Sequence, residues 1–188
     1  MPALMDALDR TAALALLHEY TKSESLRKHA LAVEACCRAY APASERDLWG
    51  LAGLLHDFDY ERWPTVPDHP LQGNRILTDL GYPEPLRHAI LAHCEQTGAR
   101  RESPLDKTLF ACDELSGFLT ACALVKPSKA IADVEPASVR KKLKDKAFAR
   151  SVSRDDITRG ADELGLPLDL HIANCLAALR AIAPALGL

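Results

Sequence analysis

The chain is patterned for helices. Apolar residues recur at three- and four-residue spacing over most of its length, Ala and Leu dominate, β-branched residues are sparse, and no alternating stretch exceeds four residues. The periodicity predicts helices over 11–20, 24–40, 45–57, 70–80, 84–95, 105–124, 136–147, 154–164 and 168–186. Ser23 or Ser44 can cap a helix start with a side-chain oxygen, Pro70 suits a first helical position and Gly81 a C-terminal stop. Pro64, Pro67 and Pro70 keep the connection between the third and fourth helices off a helical path. No repeat, low-complexity segment or long linker interrupts the pattern. The expectation is one all-α domain over 1–188: a helical core at about 20–125, with 126–188 as a helical extension packed on the first five or six helices.

Several polar residues sit where that pattern asks for apolar ones. His29 lies on the apolar stripe of the second helix, three residues after Leu26 and four before Val33. The third helix is apolar until it ends in Leu54-Leu55-His56-Asp57, and a carboxylate at the end of such a run costs free energy unless it is paired or bound to a metal. His93 follows Leu86, Ala89 and Ile90 on one helix face, and His69 stands at the entrance to a helix whose inner face is Gly73, Ile76, Leu77 and Leu80. Asp113 is embedded in Leu109-Phe110-Ala111-Cys112-Asp113-Glu114-Leu115, the most apolar segment of the chain. Each has a structural reading by itself: a core histidine with a backbone partner, or a solvated helix end. Four histidines and two aspartates together have a different one, because imidazoles and carboxylates converging inside a bundle form a site for a first-row divalent metal. His18, His88 and His171 fall outside this set and read as surface or packing residues.

Composition narrows the class. The 188 residues are 48% apolar and 26% charged, ordinary for a globular chain able to bury a core without disulfides. A net charge of −3 excludes a uniformly basic nucleic-acid coat protein, although residues 126–154 carry nine Lys/Arg against three Asp/Glu. In that tract Arg140, Lys142 and Lys144 are candidates to bind an anionic substrate, most of the other cations reading as a solvated face. Nucleic acid is a poorer partner, since aromatics are 5% of the chain and only Phe148 interrupts the basic run. The six cysteines form no CxxC pair and lie in apolar helical segments, which suggests buried reduced thiols. The first residues lack a basic, apolar leader pattern, and the run from Thr108 to Val125 is interrupted by Asp113 and Glu114. The expectation is a cytoplasmic protein with no membrane span and an oligomeric state the sequence leaves open.

The order His29 … His56-Asp57 … Asp113, with Leu51-Ala52-Gly53-Leu54-Leu55 before the pair, resembles the H…HD…D signature of the HD-domain superfamily of metal-dependent phosphohydrolases. The resemblance covers about 20–125 and implies an HD-domain helical bundle. His69 and His93, between the HD pair and the last Asp, make the pattern similar to dinuclear branches, which include diadenosine-tetraphosphate hydrolases, cyclic-nucleotide and cyclic-dinucleotide phosphodiesterases and a small group of di-iron oxygenases. The resemblance implies one metal on His29, His56, Asp57 and Asp113, and a second on His69 and His93 with Asp57 bridging. Fe, Mn, Co or Ni suits such ligands, with Zn or Mg as alternatives. The chain lacks the GYP-type motif of the cyclic-dinucleotide enzymes, and its short interval between Asp57 and His69 departs from the longer insert of the diadenosine-tetraphosphate hydrolases. The implied activity is hydrolysis of a small phosphate ester or nucleotide by a metal-bound hydroxide, with Asp57 catalytic. Asp59, Tyr60 and Glu61 are candidates to protonate the leaving group, each also readable as part of a solvated loop. The rival readings are a di-iron oxygenase acting on a small polyol or phosphonate, and a non-catalytic regulatory HD module.

Overall fold

A computed structural model describes residues 8–188; Met1–Ala7, part of the segment read above for its lack of a leader pattern, lie outside the described residues. The helices are α1 (Arg10–Tyr20), α2 (Glu24–Tyr40), α3 (Arg46–Leu55), α4 (Asp68–Asp79), α5 (Glu84–Ala92), α6 (Pro104–Leu124), α7 (Pro136–Leu143), α8 (Arg154–Glu163), α9 (Leu168–Ala181) and α10 (Ala183–Leu186). Single 3-10 turns occur at Ala43–Glu45, Glu95–Thr97 and Ile131–Asp133, and no strand occurs among the described residues. The fold is all-α, as the periodicity requires.

Helix ends follow local chemistry. The side chains of Asp9, Ser23, Ser103 and Ser153 accept backbone N–H bonds at the starts of α1, α2, α6 and α8. Ser44 does not cap: it lies inside a 3-10 turn, and α3 starts after Glu45 without a side-chain cap. Gly81 ends the α4 segment with φ +78°, a conformation that favours glycine. The predicted helix over 136–147 stops at Leu143 because the Arg154 guanidinium donates to the carbonyls of Asp145, Phe148, Ala149 and Val152, holding this segment as turns. The predicted helix over 168–186 breaks at Ile182, two residues before Pro184, whose ring and missing N–H interrupt the ladder.

The amphipathic α2 packs against α3, α6 and α9, and α6 runs through the centre of the bundle with Leu109, Leu115, Phe118 and Leu119 fully buried. The crossing of α2 and α3 needs Gly53, since a Cβ there would stand 2.8 Å from the backbone oxygen of Val33. That close approach sets the end of α3 beside the middle of α2. Ile131, Val139, Ile157, Cys175 and Leu176 belong to the same hydrophobic cluster as Val33, Leu54, Leu86 and Leu115, so the helices beyond residue 126 share the core of those before it. All six cysteines are unpaired, and five are buried.

Candidate metal centre

The ends of α3 and α5, the start of α4 and the middles of α2 and α6 meet at one point, and each delivers residues that the sequence singled out. His56 is the first residue past α3 and fully buried; Asp57 follows in the turn. That turn is held from outside by the Thr21 hydroxyl, which donates to the carbonyl of Phe58 at 2.9 Å. His69 has extended backbone immediately before Pro70, the conformation a pre-proline residue prefers, so α4 is kinked there and runs on from Pro70. His93 closes α5 as its C-cap.

The ligand atoms of His29, His56, Asp57 and Asp113 lie within 4.8 Å of one another, and so do those of Asp57, His69 and His93. Asp57 belongs to both groups and faces them with different oxygens. Its Oδ2 is 3.3 Å from His56 Nε2, while its Oδ1 is 3.1 Å from His69 Nε2 and 3.4 Å from His93 Nε2. Asp113 Oδ1 lies 3.0 Å from His29 Nε2 and 3.4 Å from His56 Nε2. All six residues expected to ligate metal are therefore brought together.

Three of the four imidazoles are aimed by their second nitrogen. Nδ1 of His56 donates to Gly53 O at 2.8 Å, Nδ1 of His93 to Ile90 O at 2.5 Å, and Nδ1 of His69 to Asp59 Oδ1 at 2.7 Å. A carbonyl or carboxylate only accepts, so each Nδ1 carries a proton, and each Nε2, the atom left to ligate a metal or to hold a second proton, points at the aspartates. His29 is the exception: its Nε2 faces Asp113 while its Nδ1 borders a cavity.

This arrangement fits metal ions. His56 Nε2 is buried with no hydrogen-bond partner among the described residues, a situation that costs about 1–3 kcal/mol unless a cation or a proton fills it. Without metal, burial opposes charge on His56, but Asp57 and Asp113 outweigh it and raise its pKa well above the ordinary value. Burial likewise works against ionised Asp57 and Asp113, yet the neighbouring imidazoles hold both below the usual carboxylate range. His69, between Asp57 and Asp59, is raised to about 9 in spite of its burial. Neutral imidazoles, two carboxylates and no thiolate among these ligands suit Fe, Mn, Co, Ni or Zn.

Of the three residues considered as proton donors, only Tyr60 stands over the cluster, its ring edge-on to His69 with centroids 5.3 Å apart. Asp59 is 1% exposed, with one oxygen on His69 and the other accepting the Gly73 N–H at 2.7 Å, so it orients a ligand rather than facing a leaving group. Glu61 turns away: its carboxylate accepts the N–H groups of Lys22 and Ser23 at the start of α2, and these bonds lower its pKa. The proposed anion-binding residues are elsewhere too. Arg140 lies 3.4 Å from Asp169, Lys142 sits over the Phe148 ring, and Lys144 is exposed beyond the end of α7. None of the three lines the cavity beside His29. Two of the histidines outside the set have partners of their own: His88 meets Asp106 at 3.2 Å, and buried His171 bridges Tyr40 and the Ala111 carbonyl.

Sequence reasoning missed the aiming role of Asp59 and the cavity by His29. The first had a signal, since Asp59 sits two residues past the HD pair in an apolar context; the second depends on how α2 and α6 splay and had none. Among known families, the HD-domain model matches residues 26–117, a segment that contains all six clustered residues. Comparison with curated proteins and with solved structures gave no match.

Proposed function

Because residues 26–117 belong to the HD-domain family, whose members are mostly metal-dependent hydrolases, we propose that the protein is a dinuclear metal-dependent phosphohydrolase acting on a small anionic organic phosphate. The observation that carries this reading is Asp57, one carboxylate presenting separate oxygens to two groups of ligands. His29, His56, Asp57 and Asp113 would hold one ion, and Asp57, His69 and His93 the other. Divalent ions held by these residues would supply an acidified water as nucleophile and positive charge for the phosphoryl oxygens.

The protein's own groups do the positioning. The backbone carbonyls of Gly53 and Ile90 and the carboxylate of Asp59 lock three imidazoles in the ligating tautomer. The buried floor formed by His56, Leu54 and Leu55 keeps bulk water off one side, so a substrate approaches from the side where His29, Asp57 and Asp113 are partly exposed. Tyr60, 40% exposed at the rim, can hydrogen-bond a leaving oxygen there.

The test is elemental analysis of anaerobically purified protein, run beside phosphate-release and oxygen-uptake screens. Two metals per chain with metal-dependent phosphate release supports the proposal. One metal or fewer after reconstitution overturns the dinuclear assignment. Two irons with oxygen consumption and no phosphate release would identify an oxygenase instead, and full biological activity without metal a regulatory module.

A further inference from the structure

His29 differs from the other three clustered histidines, and what lies beyond it gives the difference a use. Among the described residues its Nδ1 has no hydrogen-bond partner, whereas those of His56, His69 and His93 are all engaged. A Cβ built on Gly117 would stand 3.9 Å from that nitrogen, so Gly117 leaves the space in front of the ring open. This space belongs to a cavity of about 520 Å³ between α2, α6 and α10, within the range of small-molecule sites. Lys28 supplies its cation, Glu24 at its edge a carboxylate, Ser25 and Thr120 its hydroxyls, and Leu124 and Leu186 its apolar wall. Among the described residues no aromatic ring lines it apart from His29, which removes the stacking platform a nucleobase would use. Among the described residues the Lys28 ammonium pairs with Glu24, at 3.0 Å in an exposed i,i+4 pair of the kind that contributes little and is readily exchanged.

We propose that this cavity receives the body of the substrate, and that the substrate is a non-aromatic organic phosphate of sugar or polyol type. One of its oxygens accepts from His29 Nδ1–H, and a second anionic or hydroxyl group reaches Lys28. The inference rests on the phosphohydrolase reading for the reacting phosphate, but the cavity's selectivity can be measured separately. When His29 Nε2 serves as a ligand, its Nδ1 must carry the proton, so the donor facing the cavity is fixed by the same geometry that builds the centre.

The experiment is calorimetric titration of the metal-loaded protein with glucose 6-phosphate and with adenosine 5′-monophosphate, alongside phosphate-release kinetics on both. Glucose 6-phosphate is expected to bind at least tenfold tighter than the nucleotide. Gly117→Leu, which fills the cavity without displacing backbone, should abolish its binding. Lys28→Ala should weaken it about tenfold and raise KM more than it lowers kcat, with metal content at the wild-type level in both variants. Wild-type affinity in both variants, or tighter binding of the nucleotide, overturns the proposal. Binding that responds to the two variants without phosphate release would leave the cavity assignment standing and refute the hydrolase reading. Phosphate release from esters with no binding of glucose 6-phosphate would do the reverse.

Discussion

Replacing Asp59 by Asn keeps its shape and changes only what its two outer atoms can do. In the native protein both are acceptors: Oδ1 takes the His69 Nδ1–H at 2.7 Å and Oδ2 the Gly73 N–H at 2.7 Å, in a site 1% exposed to solvent. An asparagine has one acceptor and one donor for these two donors. If its oxygen faces Gly73, its NH2 faces His69 Nδ1, which must then surrender its proton; the proton moves to Nε2 and occupies the lone pair that would ligate metal. If its oxygen faces His69, two N–H groups are set against each other at Gly73. Either arrangement sacrifices one charge-assisted hydrogen bond in a dry site, about 1.5–3 kcal/mol, and loss of such an orienting partner typically lowers metal affinity about 10- to 100-fold.

The effect should be confined to the ion held by His69 and His93, because none of His29, His56 and Asp113 touches Asp59. Competition titration with a chelator should therefore show one site weakened by one to two decades and the other unchanged. Nitrogen-15 histidine spectra of the metal-free protein at neutral pH should show native His69 as the doubly protonated imidazolium that Asp57 and Asp59 favour, and the Nδ1 proton lost in Asp59→Asn. Gly73→Ala is a second route to the same outcome, since its Cβ would stand 2.7 Å from the Asp59 carboxylate and must displace it. Two sites of native affinity in Asp59→Asn would refute the reasoning, as would equal weakening of both.

Further outcomes follow from the same geometry. Asp57→Ala should lose both metals and all activity together, whereas His69→Ala should keep one metal and lose the other, both read by elemental analysis; two metals in His69→Ala would refute the dinuclear assignment. Gly53→Ala, whose Cβ would meet the Val33 carbonyl at 2.8 Å, should destabilise the fold by about 1–3 kcal/mol in urea unfolding and loosen the approach of His56 to His29. His171 is depressed below its ordinary 6.5 mainly by burial. Its contribution to stability is therefore complete above pH 6.5 and is lost as pH falls toward and through its folded value, when Nδ1 must take a proton against the Tyr40 hydroxyl. Urea titrations at pH 5 and 7.5 should show a decrement that shrinks in His171→Gln; an unchanged decrement would remove His171 from the acid response.

The sequence made the centre legible because buried polar residues cannot hide in a helical pattern. His29, His56, Asp57, His69, His93 and Asp113 each interrupt an apolar face or close an apolar run, and the fold brings all six to one point. Helices were legible for the same reason, with ends misplaced where a long-range group intervened: no periodicity announces that Arg154 will collect the carbonyls of Asp145, Phe148, Ala149 and Val152 and end α7 early. The roles of Asp59, Glu61 and the basic tract were not legible, because charge in a loop or on a helix face does not state its direction. Asp59 points inward to a ligand, Glu61 back to the start of α2, and Arg140 across to α9.

That directional information also explains why the four histidines are not equivalent. His56 and His93 stand at helix C-termini, where carbonyls three residues earlier are free to take their Nδ1 protons. His69 stands at a helix entrance with no such carbonyl, and Asp59 supplies the acceptor. His29 is in mid-helix, where carbonyls are already committed to the i,i+4 ladder, so no local acceptor exists for its Nδ1. A ligand in that position must be aimed by packing alone or by something outside the protein. The open face at Gly117 means that packing does not close over it. The position of His29 in its helix thus leaves its Nδ1 facing the cavity, where a substrate can complete the set of partners that the fold completes for the other three.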